Sequence, residues 1–144
     1  MDKIVKTAEK IRGFNRFYLP YFNLLTQKYL NSKYSVAEAR ILYEIYDHRE
    51  ISARDIVDAL HVDKGYLSRM LKKFEAESII EKKVSETDSR RILISLTESG
   101  EVLAEKLIAE SNKQISKKLM GLSEGGMDKL TYHMDEIIHT LEGK

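Results

Sequence analysis

Cysteine is absent from this 144-residue chain, and proline occurs only once. Without cysteine the chain can form no disulfide, thiolate metal site, iron–sulfur cluster or cysteine nucleophile. A single proline favours long helices, because proline interrupts the helical hydrogen-bond ladder. No apolar run approaches the roughly 18 residues of a spanning helix, and residues 1–6 lack the apolar stretch of a secretory signal. We therefore expect a helical cytoplasmic protein with no membrane partner.

Charge is nearly balanced over the whole chain but uneven along it. There are 24 Lys and Arg residues against 23 Asp and Glu residues. Residues 64–91 carry eight basic and five acidic groups, whereas residues 92–144 carry six and nine. Hydrophobic residues make up 42% of the chain, an ordinary fraction that excludes a disordered protein. The basic middle segment is typical of a surface that meets a polyanion.

Helical periodicity predicts long helices at both ends of the chain. Aromatic residues at three-and-four spacing predict one helix over residues 3–31, kinked at Pro20. Thr97 is the expected cap of a helix to about residue 120, and a last helix carries an apolar seam from Met127 to Leu141. Because such a seam has to be buried, we expect it to pack against a second apolar surface.

Three helix starts and a hairpin are predicted between these long helices. The expected N-caps are Ser35, Ser52 and Asp63. A connection of about three residues joins the helix that begins after Ser52 to the helix that begins after Asp63. Residues 79–85 and 91–96 are rich in β-branched side chains and flank a polar turn, so they predict a two-stranded hairpin. This order predicts a mainly α fold, a winged helix-turn-helix with a two-stranded β-wing.

The helix after Asp63 has two distinct faces. Its expected buried face holds Leu67, Met70, Leu71 and Phe74. A helix in the major groove needs small or hydrogen-bonding side chains at the base edges and Lys or Arg at the phosphates. The predicted DNA-binding residues of the opposite face are Lys64, Gly65, Tyr66, Ser68, Arg69, Lys72 and Lys73. A merely solvated basic face is the alternative interpretation.

The basic hairpin argues against that alternative. Lys82 and Lys83 lie on its first strand, and Arg90 and Arg91 close its turn. The tip of such a hairpin can reach the neighbouring minor groove, whose negative potential attracts arginine. A basic helix followed by a basic hairpin is a stronger signal for DNA than either part alone.

Two segments resemble the MarR family of bacterial transcription regulators. Residues 88–97, Asp-Ser-Arg-Arg-Ile-Leu-Ile-Ser-Leu-Thr, are similar to the family's wing, and residues 63–75 to its recognition helix. The resemblance extends over nearly the whole chain. It implies a single domain over residues 1–144, with the winged helix-turn-helix at 32–97 and dimerisation helices at 1–31 and 98–144.

The resemblance also implies partners and residue roles. It implies a homodimer on a pseudo-palindromic operator, with Arg90 entering the minor groove, Asp88 orienting it and Arg91 beside it. It further implies a small aromatic or phenolic effector in a crevice that Arg16, Tyr18 and Tyr43 help to line. His61 and Ser78 stand where the family commonly has glycine. Because left-handed backbone is costly for most other residues, we expect the turn to be slightly reshaped without a change of fold.

Within the family, residues 11–18, 38–40 and 65–69 look most similar to modules that precede an acetyltransferase domain. The sequence has no Gly-rich pyrophosphate loop, and we expect the acetyltransferase half to be absent from this chain. No catalytic motif is present, and the four histidines lack ligand spacing, so we expect no enzyme activity, cofactor or metal.

We therefore predict a sequence-specific, double-stranded DNA-binding regulator, a ligand-responsive repressor that acts as a homodimer. The alternative is a winged-helix protein-interaction module without DNA readout, working with a separate acetyltransferase. A salt titration of duplex binding separates the two, because phosphate contacts make affinity fall with salt.

Overall fold

A computed structural model describes residues 2–25 and 32–143 of the chain. The elements follow in the order α1 (Lys3–Tyr21), α2 (Val36–His48), α3 (Ala53–Leu60), α4 (Lys64–Ala76), β1 (Ile80–Val84), β2 (Ile92–Leu96), α5 (Glu98–Leu119) and α6 (Glu124–Glu142). This confirms the mainly α winged helix-turn-helix fold. Among the described residues, none of these helices combines the length and apolar composition needed to cross a membrane.

The first helix ends earlier than the sequence predicts. Pro20 lies inside its last turn, and Asn23 adopts a left-handed backbone with φ of 58°. The Leu24 amide donates to the Leu19 carbonyl at 2.8 Å and the Asn23 amide to Pro20 at 3.2 Å, so a Schellman motif closes the helix. The predicted continuation is therefore wrong for residues 22–25, and residues 26–31 lie outside the described part.

The predicted caps are confirmed. Ser35 forms a capping box with Glu38, in which the Glu38 amide donates to Ser35 Oγ and the Ser35 amide to Glu38 Oε1, both at 3.0 Å. Ser52 Oγ accepts from the Asp55 amide at 3.2 Å. The Asp63 carboxylate accepts from the amide of Tyr66 at 2.9 Å. Each bond satisfies a backbone donor that the first helical turn leaves free.

The core lies between α2, α3, α4 and the hairpin. Its fully buried side chains are Ile41, Leu42, Ile45, Ile56, Leu67, Phe74 and Ile94. The strands pair antiparallel, from Ile80 opposite Leu96 to Val84 opposite Ile92. Ile51 adds a bridge to Ile94 that the sequence pattern did not indicate, with backbone hydrogen bonds of 3.0 and 2.8 Å. The wing is thereby joined to the chain just before α3.

His61 and Ser78, the two residues found where glycine is expected, adopt the left-handed backbone that glycine would adopt. His61 has φ of 55° at the end of α3, and Ser78 has φ of 60° after α4. Gly100 is a glycine that the packing requires, because a Cβ there would lie 2.1 Å from the carbonyl oxygen of Ile79. It allows the start of α5 to approach the segment that leads into the wing.

Contacts divide the chain into two compact units, Met1–Glu110 and Ser111–Lys144. The second unit contains the end of α5 and all of α6. No residue of α1 or α6 is buried, although both helices are rich in apolar side chains. The exposed ones include Ile4, Ile11, Phe14 and Phe17 on α1, and Met127, Met134, Ile137, Ile138 and Leu141 on α6. Apolar surface of this extent is typical of an interaction site.

Candidate nucleic-acid interface

Helix α4 turns one face inward and leaves a cationic face in solvent. Leu67, Leu71 and Phe74 are buried, and Met70 packs partly against them, as the sequence predicts. The residues of the outer face that are exposed are Lys64, Gly65, Ser68, Arg69, Lys72 and Lys73. Tyr66 differs from these, because it is half-buried and packs against the core.

Three cations on α4 are without a carboxylate partner among the described residues, namely Lys64, Arg69 and Lys72. Arg69 extends back along the helix, and its Nη1 lies 3.5 Å from the position that a Cβ of residue 65 would occupy. The guanidinium of Arg69 therefore lies beside residue 65, near the start of α4. These charges are available to an external anion.

Lys73 has a different environment from its neighbours. Its Nζ donates to Glu38 Oε2 at 2.8 Å, which joins the end of α4 to the start of α2. Burial raises the pKa of Glu38, but the hydrogen bonds from Lys73 and Ser35 outweigh burial and hold that pKa below its usual value. The hydrogen bond to Glu38 raises the pKa of Lys73. A phosphate at Lys73 would have to compete with this carboxylate.

The wing presents its arginine at an ordered tip. The side chain of Arg90 is 91% exposed, and its Nε lies 3.4 Å from Asp88 Oδ1. The same carboxylate oxygen accepts from the Arg90 backbone amide at 3.0 Å. Ser85 Oγ accepts from the amides of Thr87 and Asp88 at 3.3 and 3.4 Å, which fixes the turn. Asp88 thus lies where it can orient Arg90.

The other wing cations pair with carboxylates of the helices and of the loop before α3. Lys83 Nζ lies 2.9 Å from Glu50 Oε1, and Lys82 Nζ lies 3.5 Å from Glu75 Oε1. Arg91 pairs with Asp55 of α3. Sequence reasoning missed these partners, because Asp55 and Arg91 are 36 residues apart and no local pattern connects them.

The expected effector residues lie on two helices. Arg16 and Tyr18 belong to α1, where the rings of Tyr18 and Phe14 stack with centroids 5.2 Å apart. Tyr43 belongs to α2 and is 49% exposed. Within residues 2–25 and 32–143, no cluster of three or more His, Asp or Glu side chains could hold a metal ion.

Comparison with known proteins shows what the chain is similar to. Residues 35–92, which include α2, α3, α4 and most of the wing, match the MarR family. The matched segment, 58 of the 144 residues, is similar to a MarR family domain. Two curated relatives extend the comparison. The organic hydroperoxide resistance transcriptional regulator of Bacillus subtilis is 36% identical over 80 residues, 56% of this chain and 51% of its own length. The HTH-type transcriptional regulator MgrA of Staphylococcus aureus is 28% identical over 131 residues, 91% of this chain and 84% of its own.

Solved structures of DNA-binding proteins share the fold over most of the chain. A mutant of MarR from E. coli, complexed with operator DNA, matches with a TM-score of 0.68 and 20% identity, covering 94% of this chain and 95% of that one. BpsR of Bordetella bronchiseptica, described for regulation of its DNA binding by 6-hydroxynicotinic acid, matches with a TM-score of 0.68 and 20% identity over 92% and 98%. The expected winged helix-turn-helix fold is confirmed. Both curated relatives bear the names of regulators rather than enzymes.

Proposed function

We propose that this protein is a transcription regulator that binds duplex DNA with α4 in the major groove and Arg90 in the adjacent minor groove. The observation that carries the proposal is the cationic outer face of α4 beside an exposed wing arginine that Asp88 orients. The relatives' names support it, although the match spans only about half the length of the Bacillus relative.

In this proposal, some side chains of α4 contact the bases and others contact the phosphates. Ser68 and Arg69, with Gly65 and Tyr66 close by, approach the base edges, where arginine recognises guanine with two hydrogen bonds. Lys64 and Lys72 contact phosphates and supply affinity without sequence preference. Lys73 and Arg91 contribute more weakly, because each already has a carboxylate partner.

The regulator acts as a homodimer in which the apolar faces of α1 and α6 are covered. Support comes from the extent of those faces in the single chain, with Phe17 63% exposed and Leu141 79% exposed. A two-fold dimer presents its two recognition helices to major grooves about 34–36 Å apart, so the operator is a pseudo-palindrome.

We propose that the protein acts in the cytoplasm as a repressor that responds to a small aromatic or phenolic acid. The BpsR structure supports this class of ligand, since an aromatic acid regulates that protein. In this chain Arg16 would bind the acid, and Tyr18 and Tyr43 its ring. The ligand would favour a dimer whose recognition helices no longer match the groove spacing, which requires different affinities for the two dimer states.

The test is a salt titration of duplex binding, followed by selection of the operator from a random library. We expect affinity to fall linearly in log salt and the selected sites to be inverted repeats. Arg90→Ala should weaken binding even to sites with an unchanged major-groove sequence, whereas Lys106→Gln, on the exposed side of α5, should not. Absence of duplex binding at low salt would favour the alternative, a protein-interaction module working with a separate acetyltransferase.

Dimerisation and the effector need separate measurements. Light scattering should give twice the mass of the 16.7 kDa chain, and Leu141→Glu should shift the particle toward the monomer. Hydroxylated aromatic acids should release the duplex from the wild type and less effectively from Tyr43→Ala. A monomer at micromolar concentration would contradict the first proposal, and equal release from both proteins would contradict the assignment of Tyr43.

A further inference from the structure

The surface between α4 and the wing has to meet a sugar–phosphate strand. In B-form DNA, one backbone strand separates a major groove from the neighbouring minor groove. A protein that places α4 in the first and Arg90 in the second therefore covers that strand with the surface in between. This inference rests on the proposed function and asks which residue holds the strand.

Two clefts flank the base of the wing, and Arg54 of α3 lines both. The first has a volume of about 760 Å³ and extends along α4, where Lys64, Ser68 and Lys82 line it. The second has a volume of about 780 Å³ and extends toward the wing tip, where Asp88 and Arg90 line it. Arg54 thus lies on the path from the recognition helix to the minor-groove arginine.

Arg54 differs from two wing cations that line the same clefts. The wing cations Lys82 and Arg91 are paired with Glu75 and Asp55. Arg54 is exposed and pairs with no carboxylate of the described residues, although Asp58 lines the same cleft. A planar guanidinium presents several donors that match the geometry of a phosphate. At this place in the surface, Arg54 is a cation ready for an external anion.

We propose that Arg54 contacts the phosphate of the backbone strand that runs between the two grooves. The contact adds affinity on every sequence and fixes the distance between the helix and the wing tip along the duplex. Sequence reasoning missed it because residue 54 lies in the first turn of a short helix, outside the basic segment at residues 64–91. Arg54 lies next to the wing cations only in the folded protein, where α3 packs beside the wing.

The experiment compares Arg54→Gln with Lys106→Gln, which removes the same charge from an exposed position on α5. Affinity is measured on a random-sequence 40-base-pair duplex and on a selected operator between 50 and 200 mM salt. We expect Arg54→Gln to lower affinity on both duplexes by about tenfold per contact at low salt, or about a hundredfold for a dimer with one contact in each half-site. Each phosphate contact contributes about 0.9 to the salt slope, so the slope of the variant should be smaller by about 1.8. Between 50 and 200 mM salt, the affinity of the variant should therefore fall about twelvefold less than that of the wild type.

Two further measurements separate contact from folding. The unfolding temperature of Arg54→Gln should equal that of the wild type, since no ion pair is lost, and Arg54→Lys should keep most of the salt slope. Ethylation of the operator phosphates should reveal one interfering position per half-site that disappears with Arg54→Gln.

The possible results distinguish failure of the Arg54 contact from failure of the proposed function. An unchanged salt slope in Arg54→Gln, together with weaker binding by Arg90→Ala, would overturn the Arg54 contact and leave the proposed function standing. Weaker binding by Arg54→Gln on the operator alone would assign the residue to base recognition and also overturn the proposal. If the wild type binds neither duplex, the proposed function itself is wrong.

Discussion

Replacement of Glu38 by glutamine should destabilise the protein through loss of one charge. Glu38 is only 7% exposed, and its two oxygens accept from the Ser35 amide at 3.0 Å and from Lys73 Nζ at 2.8 Å. Glutamine is equally suited to the capping box, so the bond to Ser35 is expected to survive. The change therefore isolates the ion pair between the start of α2 and the end of α4.

The expected magnitude follows from the unequal burial of the two partners. Breaking a fully buried pair by removing one partner costs about 3–5 kcal/mol, whereas exposed pairs contribute about 0.2–1 kcal/mol. The Glu38 side chain is 9% exposed and that of Lys73 is 42% exposed, so water can solvate the lysine that remains. We expect a loss of about 2 kcal/mol for Glu38→Gln and about 1.5 kcal/mol for Lys73→Met, between those limits. The double variant should lose less than the sum, with a coupling energy of about 1 kcal/mol.

Urea unfolding of the four proteins at neutral and acid pH measures both the coupling and its pH dependence. The pKa of Glu38 is lowered in the folded state, so its contribution is present above the usual value of 4.5. That contribution is lost as the pH falls through the lower folded-state pKa. Glu38→Gln should remove this part of the acid dependence. A coupling energy below about 0.3 kcal/mol, the usual error of additivity, would refute the reasoning.

Three further substitutions test packing, capping and readout. Gly100→Ala should lower the free energy of unfolding by about 1–3 kcal/mol, because its Cβ would lie 2.1 Å from the carbonyl oxygen of Ile79. Gly125→Ala, in the open first turn of α6, is the control and should not destabilise. Asp63→Ala should cost about 1 kcal/mol through the lost N-cap, measured by thermal unfolding, and Asp63→Asn should restore it. Arg69→Ala should weaken operator binding by about 1–3 kcal/mol and relax specificity at one base pair; equal weakening on every sequence would assign it to a phosphate.

Local signals predicted most of the fold. A cap and the backbone donor that it satisfies are three positions apart, so Ser35, Ser52 and Asp63 are recognisable as helix starts in the sequence itself. The end of α1 was missed, because a helical stripe continues past Pro20 while the left-handed Asn23 stops the backbone. A periodic pattern reports which side chains can share a face, and it carries little information on where the chain turns.

The candidate site was less accessible to sequence reasoning than the fold. The basic residues of α4 and the wing were visible as a charged segment, but their partners were not. Lys73 and Glu38 are 35 residues apart, and only the packing of α4 on α2 brings them together. Arg54 and Lys73 are both cations, but in the fold Lys73 is paired with Glu38, whereas Arg54 pairs with no carboxylate of the described residues.

The bridge between Ile51 and Ile94 limits the kinds of movement that can control this protein. Its two backbone hydrogen bonds connect the middle of β2 to a residue that precedes the cap of α3 by one position. A hairpin held in this way cannot swing without also dragging the start of α3. In the proposed dimer, a signal that lowers DNA affinity would then act by moving α3 and the wing together, altering the separation of the two copies rather than the reach of either wing.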